Sequence, residues 1–198
     1  MMLLRCCLKK IANVISIFIV FPLFFLYRVF SGLGRGAFLF QAITQALSLI
    51  PGRTGSYLRK SFLYLAVPSV SMKCVISFGT IFSHPDVEIG DGVYIGPYCS
   101  IGRASIGRDV LISDHVSIIS GKNQHRFEDL NTPIREQGGI FEKVTIGDDT
   151  WIGTGAIVAS NIGSQSVIGA GSVVLKEIPE RSIVLGNPAR IIGKRDGH

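Results

Sequence analysis

One segment of the chain collects the side chains that could perform acid–base chemistry. Residues 121–143, GKNQHRFEDLNTPIREQGGIFEK, are strongly polar and lie between two more regular stretches. Their titratable side chains include His125, Arg126, Glu128, Asp129, Arg135 and Glu136. An imidazole can accept a proton near neutral pH, which makes His125 a candidate general base. The alternative for such a residue is a solvated histidine on an exposed loop.

The stretches on either side of this segment repeat every six residues. From Ile89 the chain reads IGDGVY, IGPYCS, IGRAS, IGRDVL and ISDHVS, and from Ile146 it reads IGDDTW, IGTGAI, VASN, IGSQSV, IGAGSV and VLKEIP. This period predicts a parallel β-helix, in which each hexad forms one flat side of a triangular coil. The first residue of a hexad and the residue four places later should point inward, as in Ile89/Val93, Ile95/Cys99, Ile106/Val110, Ile112/Val116, Ile152/Ala156 and Ile168/Ser172. The polar segment cannot form such a wall and is predicted to project from it.

These hexads, together with the motifs WIGTGAIV, IGAGSVV and GNPARII, resemble the hexapeptide-repeat acyltransferases over about residues 75–197. The resemblance extends to the sugar and polysaccharide O-acetyltransferases of that family. It implies an all-β domain folded as a left-handed parallel β-helix, with acetyl-CoA as co-substrate. It also implies a catalytic base on a loop that interrupts the repeat, which supports His125. The family's homotrimer, in which the loop of one subunit reaches the cofactor groove of the next, is implied in the same way.

By the same resemblance, the contacts to acetyl-CoA fall on Thr154, Ala170, Leu175, Lys176, Arg190 and Lys194. Small residues on adjacent coils would let the pantetheine arm approach: Thr154, Gly155 and Ala156, then Ala170, Gly171 and Ser172. Lys176, Arg190 and Lys194 are expected to cluster near the C-terminal end and bind the phosphates. Neither a cysteine nor an activated serine accompanies His125 in the loop, which favours direct transfer over an acyl-enzyme.

Several other side chains allow two interpretations. Glu136 or Glu128 could orient the imidazole, and Arg135 could bind substrate or brace the loop through an ion pair. His115 could line the acceptor cleft or be a plain corner residue. Trp151 is expected to pack against the base of the loop or the thioester end of the cofactor. A zinc site needs three converging histidines, and His115 and His125 have no clear third partner, so we expect no metal.

The charge is unevenly distributed along the chain. Residues 1–85 contain nine Lys or Arg and no acid, which gives +9, whereas the remaining 11 Lys or Arg and 14 acids give −3 and a net charge of +6. Because the basic residues of the leader lie among Phe, Leu and Ile, an anionic membrane surface suits them better than nucleic acid. The four cysteines, Cys6, Cys7, Cys74 and Cys99, show neither metal-binding nor disulfide spacing.

Three apolar segments of the leader predict helices. Residues 11–27 are uncharged but are interrupted by Pro22, and residues 37–50 end at Pro51-Gly52. Residues 56–67 place Leu58, Phe62 and Leu65 on one face, with Arg59 and Lys60 opposite, as in an interfacial helix. We expect three helices in or on the membrane rather than one true span. Packing on a neighbouring subunit is an alternative, and a cleaved signal peptide is disfavoured because no small-x-small site follows the apolar run before Arg28.

The sequence therefore predicts a helical, membrane-associated segment over 1–70 and a β-helix domain over 71–198, with a protruding loop at 121–143 and a cap at 179–198. The predicted activity is acetyl transfer from acetyl-CoA to a sugar hydroxyl in envelope or capsule polysaccharide biosynthesis. The acceptor would be a saccharide, either free or linked to a lipid. The protein is expected at the cytoplasmic face of the bacterial inner membrane, attached either as a monotopic protein or by a single span. The alternatives are a small soluble acceptor (a free sugar, serine or an antibiotic) and a non-catalytic β-helix scaffold.

Overall fold

The chain begins with three helices and continues as a column of very short strands. The computed structural model describes residues 2–34 and 36–196, and its side chains are described from Cys7 onward. Arg35, the last two residues of the predicted cap and the side chains of Arg5 and Cys6 therefore lie outside the description.

The helices are α1 (Met2–Gly32), α2 (Gly36–Ser48) and α3 (Gly52–Ala66). The strands, in chain order, are β1 (Val75–Ile76), β2 (Ile81–Phe82), β3 (Val87–Ile89), β4 (Tyr94–Ile95), β5 (Ser100–Ile101), β6 (Ala104–Ile106), β7 (Leu111–Ile112), β8 (Ser117–Ile118), β9 (Val144–Ile146), β10 (Trp151–Ile152), β11 (Ile157–Val158), β12 (Val167–Ile168), β13 (Val173–Val174), β14 (Ser182–Leu185) and β15 (Arg190–Lys194). A 3₁₀ turn covers Ile134–Glu136.

The strands form three parallel sheets that enclose one core. Face 1 has the order β1-β4-β7-β10-β12-β14, face 2 has β2-β5-β8-β11-β13, and face 3 has β3-β6-β9. Each strand pairs in register with the strand one coil away, as Ile95 does with Ile112 and Ile112 with Ile152. The chain therefore climbs through about six triangular coils. The predicted parallel β-helix is confirmed.

Equivalent residues of successive coils stack to form this core. The predicted inward residues of every hexad, from Ile89 and Val93 to Ile168 and Ser172, are at most 2 % exposed. Each buried aliphatic side chain contributes about 1.5–3 kcal/mol to folding. Since small or aliphatic side chains recur at the same places of each hexad, they stack along the axis and are buried together.

We name the three edges of the prism by the faces that they join. Corner 1–2 carries the fourth residue of the face 1 hexads: Tyr98, His115, Gly155 and Gly171, all with positive φ. Corner 2–3 carries residues 119–143, which include the predicted loop at 121–143. Corner 3–1 carries Asp109, Asp149, Gln165 and Arg181, which also have positive φ.

The helices close the lower end of the prism. Helix α2 packs against β2 and helix α3 against β1, while α1 lies across both helices. Helix α1 continues through Pro22, although the sequence suggested an interruption there. Its packed stripe includes Ser16, Val20 and Tyr27 on both sides of the proline, and Ser16 shares a 2.7 Å hydrogen bond with Ser61 of α3.

The predicted amphipathic pattern of α3 is wrong in one respect. Arg59 and Lys60 are 3 % and 9 % exposed, so they are buried together with Leu58 and Phe62. The reason is the C-terminus of α2, where Arg59 donates hydrogen bonds to the carbonyls of Leu47 and Ile50, and to Ile76 of the first coil. A guanidinium satisfies the free carbonyls that end a helix, and its charge suits the helix dipole.

At the upper end, β15 turns back against β14 as an antiparallel strand. The turn contains a cis peptide bond between Asn187 and Pro188. Arg195 beyond β15 donates to the carboxylate of Asp149 at 3.0 Å, which fastens the tail to corner 3–1. The chain therefore covers the last strand of face 1 with its own C-terminal segment, and repeat structures need such caps.

Candidate functional site

The projecting loop has two arms that are hydrogen-bonded to each other. The amides of Arg126 and Ile140 donate to the carbonyls of Gly138 and Asn123 at 2.9 and 2.8 Å. The amide of Glu142 donates to Ser120 at the base. This ladder holds His125 on a defined backbone, although the loop lacks regular secondary structure there.

Aromatic and ionic contacts fix the base of the loop to the coil below. The Phe141 ring lies between two histidines, edge-on to His84 at 5.9 Å and to His125 at 6.4 Å. Arg103 donates to the Phe141 carbonyl at 3.2 Å. Lys143 bonds to Asp86 and Glu88, both at 2.7 Å, and those bonds lower the pKa of each carboxyl group. His125 therefore has an exposed imidazole on a braced loop.

Among the described residues, no carboxylate forms a hydrogen bond or ion pair with His125. Glu136 bonds to its neighbour Arg135 at 3.3 Å, and Glu128 accepts from the Phe127 amide. Arg135 pairs with the neighbouring residue in the chain, and both of its interpretations stay predictions. Within one chain, neither of the two predicted acids, Glu128 and Glu136, therefore orients the His125 imidazole.

Corner 1–2 contains the predicted small residues, and they divide into two sets. Thr154, Gly155, Ala170 and Gly171 lie on the outside, and a Cβ at Gly155 or Gly171 would meet no atom within 4 Å. This is an open ledge, two coils high, along which a thin chain could lie against the backbone. Ala156 and Ser172 are fully buried, so only their backbone atoms could contact a cofactor.

The corner below this ledge is filled with aromatic rings. His115 stacks on Tyr98 with centroids 5.2 Å apart, and Tyr98 is edge-on to Phe78 at 5.5 Å. We call Phe78, Tyr98 and His115 the aromatic ladder. Sequence analysis selected His115 but missed its two partners, although Tyr98 occupies the same fourth place of its hexad as His115 does.

Two polar pairs lie beside the ledge. Thr154 donates its hydroxyl to Asp114 at 2.7 Å, which lowers the pKa of that carboxyl group. Trp151 donates to Ser113 at 3.2 Å from the outer surface of face 1. Since the loop starts at corner 2–3, Trp151 does not pack against the base of the loop in the same chain.

The predicted phosphate-binding cations do not cluster within one chain. Lys176 lies on corner 2–3, between β13 and the bridge residue Ile178, next to the exposed Leu175. Arg190 pairs with Leu185 near corner 1–2, whereas Lys194 reaches the carbonyl of Glu180 on corner 3–1. Arg190 and Lys194 are separated because they lie at the two ends of β15, which runs across the full width of face 1. The hexad pattern does not predict this reversed strand.

The loop and the ledge occupy different edges of the prism. His125 belongs to the connection from face 2 to face 3, and Gly155 and Gly171 belong to connections from face 1 to face 2. One chain therefore does not bring its own imidazole onto its own ledge. Two copies packed side by side could bring an imidazole and a ledge together.

The comparisons with known proteins agree with this architecture. The chain is 31 % identical to a probable acetyltransferase of Mycobacterium tuberculosis over 161 residues, which cover 66 % of this chain and 54 % of the relative. Among solved structures, a maltose O-acetyltransferase from Clostridium difficile 630 superposes with a TM-score of 0.68 at 24 % identity, covering 81 % of this chain and 89 % of the other. The chain has the fold of the hexapeptide-repeat acetyltransferases. Its solenoid is the left-handed β-helix of that family, as predicted.

A second structure, a galactoside acetyltransferase in complex with coenzyme A, has a TM-score of 0.58 at 22 % identity, covering 81 % of this chain and 83 % of the other. No protein-family model matches the chain. The chain spans about half the length of the curated relatives that it matches. The similarity therefore concerns the β-helix.

Proposed function

We propose that this protein is an acetyl-CoA-dependent O-acetyltransferase that acts on a sugar hydroxyl at a membrane, in the synthesis of an envelope or capsule polysaccharide. The observation that carries this proposal is the pairing of a braced loop histidine with an open ledge on the same β-helix. Both the maltose and the galactoside acetyltransferases have this fold. Coenzyme A is bound in the galactoside enzyme structure.

In the proposed reaction His125 acts as general base. Its imidazole takes the proton of the acceptor hydroxyl while that oxygen attacks the thioester carbonyl. The tetrahedral intermediate then collapses to the ester, and the departing thiolate takes the proton back from the imidazolium. No covalent acyl-enzyme is needed, because the loop carries no thiol or activated hydroxyl beside His125.

The ledge suits the other half of this reaction. Gly155 and Gly171 leave the backbone open over two coils, so a pantetheine arm could lie against it. The phosphates would then meet cations at the upper end, where Arg190 is near corner 1–2. Lys176 of an adjacent copy could supply a further charge from corner 2–3, since that corner also carries the loop.

We propose a homotrimer for the same reason. A cyclic assembly presents corner 2–3 of each copy to a different edge of the next, so every loop can reach a neighbouring ledge. Three equivalent sites result, each with His125 from one subunit and Gly155 and Gly171 from another.

The helices support a monotopic membrane attachment. The segment Cys7–Gly32 is long and apolar enough to cross a membrane by length and composition alone. However, Ser16, Val20 and Tyr27 in its middle pack on α2 and α3, which rest on the first coil. If α1 crossed the membrane, helix α3, which packs on it, would enter the hydrocarbon core together with the buried cations Arg59 and Lys60. The opposite side of α1 exposes ten large apolar residues that could enter the bilayer surface: Leu8, Ile11, Val14, Ile15, Phe18, Ile19, Phe21, Phe25, Leu26 and Val29.

The proposal is tested by incubating the purified protein with acetyl-CoA and a panel of free and lipid-linked glycans while following thiol release. We expect thiol release that depends on a glycan and falls at least about a hundredfold in His125→Ala. Asn123→Ala, an exposed loop residue two positions away, is the matched control and should retain activity. Turnover with serine or an antibiotic alone would favour a soluble acceptor, and no turnover at all would favour a scaffold.

A further inference from the structure

A large cleft opens between the N-terminal half of α1, helix α3 and the first coil of face 1. Its volume is about 1570 Å³, which exceeds what a single phosphate or sugar requires. Apolar side chains line it, among them Leu8, Tyr57, Phe78 and Tyr94. The cleft is separate from the loop, which leaves the prism at corner 2–3, and its residues have no part in the proposed acetyl transfer.

The cleft has a strongly positive lining. Six cations contribute to it, namely Lys9, Lys10, Arg53, Arg59, Lys60 and Lys73, and no Asp or Glu is among its described lining residues. Lys73 alone has a carboxylate partner, Asp91, which lies outside the lining. An excess of fixed positive charge in a partly enclosed space attracts an anion.

Two of these cations are buried with no counterion in the part of the chain that the structure describes. Arg59 donates only to carbonyl oxygens, and its Nη2 has no hydrogen-bond partner. Lys60 donates to the Met72 carbonyl at 3.2 Å and lies over the Tyr57 ring at 4.3 Å. Burial lowers the pKa of both side chains, and Lys9 lowers that of Lys60 further. Buried charges are normally paired, and a bound anion would supply the missing partner.

One side of the cleft continues into the apolar face of α1. Leu8 lines the cleft and is exposed, and the exposed residues Ile11 and Ile15 follow it one and two turns along the helix. A hydrocarbon chain attached to the anion could therefore lie along α1 into the membrane surface.

The other side of the cleft leads to the ledge. Phe78 lines the cleft and begins the aromatic ladder, whose next members are Tyr98 and His115 on successive coils. Gly155 is the next residue on this corner, so the distance from Phe78 to the ledge is three coil steps, roughly 14 Å in all. Aromatic side chains offer an apolar surface with a polar edge, which suits a short oligosaccharide.

We propose that this cleft binds the phosphate of a lipid-linked saccharide, so that its sugar extends along the aromatic ladder towards the ledge. Acetylation of the bound sugar rests on the proposed function, whereas binding of the lipid-linked phosphate in the cleft does not. The acceptor would thus be recognised at three points: the hydrocarbon on α1, the phosphate in the cleft and the sugar on the ladder.

The test measures binding of a polyprenyl diphosphate disaccharide to the full chain in nanodiscs of neutral phospholipid. The test variant is Lys9→Glu with Arg53→Glu, because neither side chain makes a hydrogen bond in the described structure. The control is Arg28→Glu with Arg181→Glu, which changes the net charge equally outside the cleft. We expect about a tenfold loss of affinity in the cleft variant and less than about twofold in the control.

Equal losses in the two variants would overturn the site. A second arm replaces the glycolipid by phosphatidylglycerol in the nanodisc. An equal loss there would show a general anionic-lipid site and would overturn the acceptor assignment.

A third arm follows acetyl transfer to the same disaccharide with and without its lipid phosphate. The cleft variant should raise KM for the lipid-linked form only, and an equal rise for both forms would contradict the proposal. If the wild-type protein acetylates neither form, the proposed function fails while the binding result stands by itself.

Discussion

Gly139 lies directly against the carbonyl of Gln124, so that a Cβ on Gly139 would overlap that oxygen. The two arms of the loop can approach this closely only because residue 139 has no side chain. We predict that Gly139→Ala separates the arms and displaces His125 without disturbing the coils. Acetyl transfer should fall about tenfold to a hundredfold, because small misplacements of a catalytic group are costly.

Steady-state kinetics and thermal melting together test this prediction. Gly138→Ala is the informative comparison, because a Cβ there meets no atom within 4 Å and only the φ of +73° is strained. It should lose less activity than Gly139→Ala, while both variants melt within a few degrees of wild type. Equal activity in Gly139→Ala and wild type would contradict the assigned loop geometry.

The ion pairs of Lys143 give the loop base an acid-sensitive attachment. Asp86 and Glu88 have a lowered pKa in the folded protein, because Lys143 bonds to their charged forms. Their contribution to stability is therefore fully present above their ordinary pKa values near 4 and is lost as the pH falls through the lowered values. Pepsin should cut within residues 121–143 increasingly fast as the pH drops from about 5 to 2.

Lys143→Met supplies the comparison for this acid effect. It should make the loop susceptible already at pH 5 and reduce the further acceleration at lower pH. Arg108→Met, which removes the Arg108–Asp148 pair on corner 3–1, should leave cleavage of the loop as in wild type. A Lys143→Met protein with the wild-type pH profile would show that these ion pairs do not hold the loop.

Arg59 joins the helices to the first coil. Replacing it by Met would leave the carbonyls of Ile50 and Ile76 without a donor, whereas the Leu47 carbonyl would keep the Ile50 amide. At about 1 kcal/mol or more for each unpaired buried carbonyl, the free energy of unfolding should fall by about 2 kcal/mol or more. Urea unfolding would measure this loss, and Arg53→Met on the exposed side of α3 should cost less than about 0.5 kcal/mol. An unchanged midpoint for Arg59→Met would show that the guanidinium does not support the junction.

The cysteines should differ sharply in reactivity. Cys74 and Cys99 are buried, and burial raises the pKa of each thiol to about 11, whereas Cys7 is exposed. In a Cys6→Ser protein at pH 8, a thiol reagent should label Cys7 alone, and Cys74 and Cys99 should react only after denaturation. Labelling of Cys99 in the folded protein would place it outside the core.

The hexad pattern predicts the β-helix well because its information is local. The first and fifth residues of each hexad contact the equivalent residues one coil away. The residue types at these places, such as Ile95 and Cys99, are therefore enough to predict which positions point inward. The projecting loop follows from the same logic, since a polar segment cannot stack. The stacking partner of His115 could also have been found, because Tyr98 holds the same hexad position.

The remaining features depend on contacts that no period contains. Arg59 is buried because its carbonyl partners, Ile50 and Ile76, come from separate elements that meet only in the fold. Lys176 and Lys194 appear close in the sequence, but a coil edge and a reversed strand place them on different corners. Glu136 is next to Arg135 in the chain and forms an ion pair with that neighbour, and not with His125.

The shared site between subunits is tested most directly by mixing two inactive variants. His125→Ala removes the proposed base, and Gly155→Trp with Gly171→Trp blocks the ledge. Each variant alone should be inactive, while co-expression should restore about a quarter of wild-type activity, because one site in four combines an intact loop with an intact ledge. Recovered acetyl transfer is the predicted result, and mixed assemblies that remain as inactive as either parent would contradict the account.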